Sequence, residues 1–410
     1  MNDSAYKPKK VVLAYSGGLD TSFCVAYYAR EIGAQVHAVF ADTGGFSEEN
    51  KAQLKERALS FGATEFVEID GKQEVVDDVI RYLIAGNVRR GNTYPLCVAA
   101  ERAIQAKLVI EHALKIGAEA IAQGSTGAGN DQIRFEVAIR ALAPNIVALA
   151  PVRDLGLTRE QEVAKLEGWG LAESLPQTAN KEYSINRGLW GATIGGKETT
   201  GSEKPLPEHA YVMTTSPAES PEKPQTVELI FEKGMPTAID GKNLDAVNLI
   251  EKLEGMAGAH GVGRGMHLGD TIIGIKGRVA YEAPAAEVLL LAHRELEKLV
   301  LTRHQSRIKD SASAYYGDLV HEGNFFDPAA RDIEGLLASS QEVVSGKVSL
   351  ELFRGQARVL GVSSPNSLLD ASGARYGEEI SGYTATDAAG FTAILGNAAR
   401  ITAKARGGEK

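Results

Sequence analysis

Short apolar runs alternate with longer amphipathic stretches through the first 170 residues of the chain. Residues 11–15 (VVLAY) are continuously apolar and predict a strand buried on both faces, and 36–41, 65–69, 120–123 and 146–149 predict others. Between them, residues 21–32, 48–61 and 98–116 predict helices. Buried strands separated by helices predict a doubly wound, mainly parallel sheet, whose ligands sit beyond the carboxyl ends of the strands. Thr158 and Gln161 have capping-box spacing, so the last helix of this unit is expected to end near residues 168–170.

Beyond residue 171 the texture changes. Residues 199–224 are rich in Ser, Thr, Glu and Pro and predict a long surface excursion. Residues 226–231 alternate, with Val227, Leu229 and Phe231 on one face, as in a half-exposed antiparallel strand. Residues 271–281 and 348–362 predict strands, the second a hairpin around Arg354-Gly355, and 285–303 predict a helix. Residues 386–406 predict a terminal helix of the kind that docks on another subunit. The expected architecture is α/β: a doubly wound, mainly parallel-sheet nucleotide-binding domain over residues 1–170, an α+β domain over 171–375, and a C-terminal oligomerisation helix and tail over 376–410.

Charge narrows the partners. The formal net charge is −9, whereas a protein that grips nucleic acid presents a basic face, so no nucleic-acid partner is expected. The 44 glycines cluster in short loops, which favours ligand sites lined by backbone. Cys24 and Cys97 form no CxxC pair and predict small buried apolar side chains, not a disulfide. Residues 1–10 lack the apolar core of a signal peptide, and no uncharged apolar run reaches the ~20 residues that cross a bilayer. A cytoplasmic protein with no membrane partner is expected.

Two loops carry the chemistry. Ser16-Gly17-Gly18-Leu19-Asp20-Thr21-Ser22 follows the first predicted strand and opens the first predicted helix. Glycines there let bare N–H groups approach an anion, the helix N-terminus adds positive potential, and Ser16, Thr21 and Ser22 supply short hydroxyl donors. Asp20 would repel a phosphate unless a cation such as Mg²⁺ bridged the two. The loop lacks the GK[ST] ending of a Walker motif, and it is not the GxGxxG dinucleotide fingerprint. It resembles the pyrophosphate loop of N-type ATP pyrophosphatases. The second loop, residues 124–136 (GSTGAGNDQIRFE), follows the fourth predicted strand and places an amide, a carboxylate and a guanidinium within five residues. Asn130 and Arg134 share a helix face, and such groups suit zwitterionic amino acids, Arg134 for a carboxylate and Asp131 for an ammonium.

That second loop resembles the GNDQ-x-RF signature of argininosuccinate synthases. Residues 92–96 (NTYPL), 182–186 (EYSIN), 189–191 (LWG) and 280–284 (AYEAP) are similar to further segments of the same family. The resemblance runs from residue 10 to about 396. It implies ATP held by Ala14, Tyr15, Ser16, Gly17, Gly18, Leu19, Asp20, Thr21, Ser22, Ala41 and Gly124, with Mg²⁺ joined to Asp20 through the phosphates. It implies aspartate held by Thr126, Asn130 and Asp131. For citrulline it implies Tyr94, Ala99, Asn130, Arg134, Ser184, Thr193 and Tyr281. Asp20, Ser22 and Asp131 are the residues expected closest to catalysis, and a homotetramer is the implied assembly.

The chain also departs from the family pattern. Val98-Ala99 replace a Ser or Thr before Arg102, and Asn186-Arg187-Gly188 replace acidic and Asn positions. Gly269 stands where a citrulline-binding Glu is expected, leaving the adjacent Asp270 to substitute. Two alternatives are another pyrophosphatase-type ligase and an ATP-binding sensor without catalysis. Thiolation would call for paired reactive cysteines, and glutamine use for an amidotransferase segment; neither is found. The sensor draws support from Gly269, and the joint presence of Asp20, Thr126, Asn130, Asp131 and Arg134 opposes it.

Overall fold

A computed structural model describes residues 6–171, 182–373, 377–378 and 381–407. The chain opens with a parallel sheet of five strands: β1 (Lys10–Ala14), β2 (Gln35–Asp42), β3 (Glu65–Asp70), β4 (Ala120–Ala122) and β5 (Val147–Leu149). Their order is β3-β2-β1-β4-β5, so the winding direction reverses between β1 and β4. Alternate residues of β1 enter opposite layers, because successive strand side chains point to opposite faces. Val11 and Leu13 pack with Phe23, Leu54 and Phe61, whereas Val12 packs with Val109, Ile110, Phe135 and Ile139. The doubly wound unit is thus present, and Thr158 and Gln161 form their capping box at the helix Arg159–Gly168.

The second half holds two antiparallel sheets. One comprises β6 (Ser184–Gly188), β7 (Gly191–Gly195), β11 (Arg264–Asp270) and β12 (Lys276–Glu282), ordered β11-β12-β7-β6. The other comprises β8 (Gln225–Glu232), β9 (Met235–Ile239), β10 (Lys242–Asn243), β13 (Gly346–Phe353) and β14 (Gln356–Ser363), ordered β10-β9-β8-β13-β14. Val227, Leu229 and Phe231 do share its buried face, with Val348, Leu350 and Leu352 beside them. The helices Ala246–Ala259 and Pro284–Val300 cover that face. Val76, Ile80 and Leu83, from the first half of the sequence, enter this same core.

Several expectations change in detail. The long helix starts at Glu101, not 98, because Leu96 and Val98 adopt positive φ (63° and 64°) in tight turns before it. Residues 271–281 do not form one strand: 271–275 make the turn of a β11–β12 hairpin whose first strand the pattern did not reveal. The run 285–303 ends at Val300, and a second helix, Arg303–His321, starts on its own capping box at Thr302. The terminal helix is two, Ala385–Leu395 and Asn397–Ala405, divided at Gly396. The expected start of the tail at residue 376 lies outside the described residues. Cys24 and Cys97 are buried and free, and no helix among the described residues is long and apolar enough to cross a membrane.

Candidate active site

The two glycine-rich loops leave from neighbouring strands at the point where the sheet reverses, β1 feeding residues 15–22 and β4 feeding 123–130. This is where an open α/β sheet leaves a crevice beyond its strand ends. Gly17 has φ +73°, a conformation that only glycine adopts without strain, and its carbonyl accepts from Arg57 Nη1 at 2.7 Å. Gly124 allows the loops to touch: a Cβ there would lie 2.9 Å from the backbone nitrogen of Thr21. The Ser16 hydroxyl lies 3.3 Å from that of Thr21, which in turn donates to the carbonyl of Gly18. Ser16 is exposed at the mouth. Ser22 is fully buried, 3.5 Å from the Tyr15 hydroxyl, and Thr21 is buried too, so of the three expected donors only Ser16 is exposed. Ala14 ends β1, Ala41 lies near the end of β2, and Leu19 is buried as the first residue of the helix Leu19–Ala26.

Asp20 has a partner that sequence did not suggest. Its carboxyl and that of Glu162, on the helix Arg159–Gly168, act on one another electrostatically, and burial raises the pKa of both. Burial, and then the Asp20 charge, push Glu162 up to about 8, which favours its protonated form beside Asp20. No group of three or more His, Cys, Asp or Glu side chains able to cage a metal occurs among the described residues. The donor set does not fit a resident metal site, and Asp20 remains the one carboxylate of the loop.

At the far end of the second loop the helix Asp131–Leu142 opens on a charged cluster. Asp131 accepts from Arg102 Nε at 2.9 Å and from Arg134 Nη1 at 2.8 Å. Burial acts to raise its pKa, but the two guanidiniums win and hold it at about 2. Arg102 Nη2 also reaches Asn186 Oδ1 at 3.2 Å. Asn130 accepts through Oδ1 from the backbone of Ile272 in the β11–β12 turn at 3.0 Å. Thr126 is exposed on the loop between the two sites.

Across from this cluster the β6–β7–β12–β11 sheet presents a row of side chains. Asn186 is opposite Thr193, and Thr193 is opposite Tyr281, so all three face the same way. Ser184, two residues before Asn186, shares that face and is exposed. The Tyr281 ring lies 5.4 Å from that of Tyr94, and its hydroxyl donates to the Thr93 carbonyl at 2.9 Å. Ala99 is buried in the turn after Tyr94, and its N–H donates to the Cys97 carbonyl at 2.6 Å. The expected citrulline residues Tyr94, Thr193, Tyr281, Asn130 and Arg134 therefore converge, although they come from four separated segments.

The substitute carboxylate does not appear. Asp270 pairs with Lys276 at 2.6 Å, on the face of β11 opposite to Gly269. His267, on the same face as Gly269, stacks on Tyr94 with centroids 5.6 Å apart and planes inclined at 21°. A Cβ at position 269 would lie 2.5 Å from His267 Nε2, so the imidazole occupies the room beside that glycine. Sequence reading also missed Glu101, which is buried and accepts from the Thr43 hydroxyl at 2.9 Å and the Trp190 backbone at 3.2 Å. Burial raises its pKa to about 7. No local signal marked His267 or Glu101, since their partners are far away in sequence.

The profile described as "Arginosuccinate synthase N-terminal HUP domain" matches residues 10–171, and "Arginosuccinate synthase C-terminal domain" matches 183–402. The chain belongs to the argininosuccinate synthase family. Proteins named argininosuccinate synthase are similar to it over most of their length. That of Rubrobacter xylanophilus is 40% identical over 96% of this chain and 94% of its own. That of Methanocaldococcus jannaschii is 43% identical over 87% and 89%. That of Synechocystis is 39% identical over 97% and 98%. Family membership makes the chain an ATP-dependent ligase and disfavours the alternatives of a different ligase or a sensor.

Proposed function

We propose that the chain condenses citrulline with aspartate, with ATP cleaved to AMP and pyrophosphate, to give argininosuccinate for arginine synthesis. The observation that carries this reading is the contact of the two loops through Gly124 and Thr21, which brings a phosphate-binding backbone next to the Asp131–Arg102–Arg134 cluster. In this scheme the ureido oxygen of citrulline attacks the α-phosphorus, and pyrophosphate departs into the loop of residues 16–22. The aspartate amine then attacks the ureido carbon, and AMP leaves. Thr126, Asn130 and Asp131 position aspartate. Tyr94, Arg134, Ser184, Thr193 and Tyr281 position citrulline. Asp131 is held as an anion by two arginines, so it serves to orient an ammonium and is too weak a base to take the amine proton. Catalysis rests on positioning and on stabilising the departing charge. Magnesium enters as MgATP, bound through the substrate's own phosphates, with Asp20 the nearest loop carboxylate.

We read the protein as a cytoplasmic homotetramer, and the terminal helices support the assembly. The helices Ala385–Leu395 and Asn397–Ala405 bury no residue of their own, yet they carry Phe391, Ile394, Leu395 and Ile401. Those side chains would find cover on a second copy of the chain. The activity is tested by incubating the protein with MgATP and citrulline, with and without aspartate. The expected result is continued formation of argininosuccinate and pyrophosphate in equal amounts with all three substrates, and no more than a single turnover's pyrophosphate when aspartate is left out. ATP binding with no product from that mixture would contradict the reading.

A further inference from the structure

His321 ends the helix Arg303–His321 and reaches across to the other half of the chain. Its carbonyl accepts from Arg134 Nε at 2.9 Å, and its ring Nδ1 lies 3.2 Å from Arg134 Nη2. A guanidinium nitrogen can only donate, so Nδ1 accepts and the ring proton sits on Nε2. Nε2 is enclosed and has no acceptor among the described residues. Leaving a buried donor without a partner costs stability, which makes packing alone a poor explanation for this side chain. Burial, and then the Arg134 cation, hold the imidazole neutral, with its pKa lowered to about 3; Arg90, His267 and Asp131 are the other charged or titratable groups that face it. The turn that follows is pressed against the same arginine: Gly323 has φ +84°, and a Cβ there would lie 3.0 Å from Arg134 Cα.

These contacts account for three of the five guanidinium N–H groups: Nε to the His321 carbonyl, Nη2 to its ring and Nη1 to Asp131. One N–H remains on each terminal nitrogen, the pair a planar carboxylate can engage. We propose that His321 is a positioning residue for substrate binding, clamping the Arg134 guanidinium from the second half of the chain so that its two remaining N–H groups meet the carboxylate of the amino-acid substrate. The inference rests on the functional reading above and adds to it a residue that acts through Arg134 without touching the reacting atoms.

The test compares His321→Leu, which removes the ring acceptor, with His321→Asn, whose side-chain oxygen can stand near the place of Nδ1. Initial rates are measured against citrulline, aspartate and ATP in turn. The leucine variant is expected to raise the KM for one amino acid about tenfold or more, with the ATP KM within about twofold, the size expected when a charged group loses a hydrogen bond. The asparagine variant is expected to recover most of that loss. An unchanged KM in the leucine variant, or equal losses of kcat in both variants with every KM unaltered, would overturn the proposal. A crystal structure of the leucine variant supplies a readout that needs no turnover: the guanidinium of Arg134 should leave its position, and finding it in place would also overturn the proposal. If the wild-type protein made no argininosuccinate while Arg134 still moved in the variant, the functional reading would fall and the clamp would stand.

Discussion

The two ends of the candidate site are built by different means. At the nucleotide end, seven consecutive residues and one glycine from the neighbouring strand create the geometry, and backbone groups form its surface. At the amino-acid end, side chains from segments near residues 94, 102, 131, 186, 193, 267, 281 and 321 form a network of hydrogen bonds and ring contacts. A backbone-built site tolerates change in most side chains but fails where a Cβ intrudes. A network site tolerates no loss of charge at its centre, because each neighbour is left without a partner. Departures from the family pattern fall where this difference would place them. The phosphate loop retains its motif, whereas Gly269 and Asn186 both border the amino-acid end.

The largest effect should come from the centre of the network. Asp131→Asn removes the anion between Arg102 and Arg134 and is expected to lower kcat/KM for aspartate and citrulline by roughly a hundredfold or more. ATP binding, measured by equilibrium titration, should be nearly unchanged. An equal loss for ATP would mean that the two ends are not separable. The converse change, Gly124→Val, puts branched carbon against the backbone of Thr21. It is expected to weaken ATP binding about tenfold or more by displacing the loop, with smaller effects on the amino acids once ATP saturates.

Those two variants also mark what could be read from sequence. The parallel sheet, the phosphate loop and the Asp131 helix were legible because each is encoded in a contiguous run with its own period or motif. The β11 strand was not, since RGMHLGD alternates glycines with mixed side chains and offers no apolar face. The break at Thr302 was hidden because the apolar run of 285–300 continues into a polar helix whose cap is its only boundary signal. Asp20 was read as facing phosphate, and its Glu162 partner lies 142 residues away on another helix. His321 and Glu101 act through residues remote in sequence, so only the folded chain brings their partners to them.

The smallest effect concerns Glu101, which lies between the two ends. A carboxyl raised to about 7 keeps its proton in the folded state, whereas the unfolded chain releases it near its ordinary value of about 4.5. The folded state therefore binds more protons in that window, and stability is greatest below it and declines as pH rises from about 4.5 through 7. Glu101→Gln cannot titrate and should flatten this decline. The expected difference is about 1–3 kcal/mol between pH 5 and 7.5, read as a smaller fall in Tm across that range. Parallel curves for the two proteins would show that Glu101 does not carry the dependence.

The central claim is that the nucleotide end activates a carbonyl oxygen held at the amino-acid end. It is tested most directly with citrulline carrying ¹⁸O in its ureido group, turned over with MgATP and aspartate, and with the products weighed by mass spectrometry. Attack of that oxygen on the α-phosphorus followed by departure of AMP predicts one ¹⁸O in each AMP and none in pyrophosphate. AMP without label, beside argininosuccinate formed in the same tube, would contradict the account.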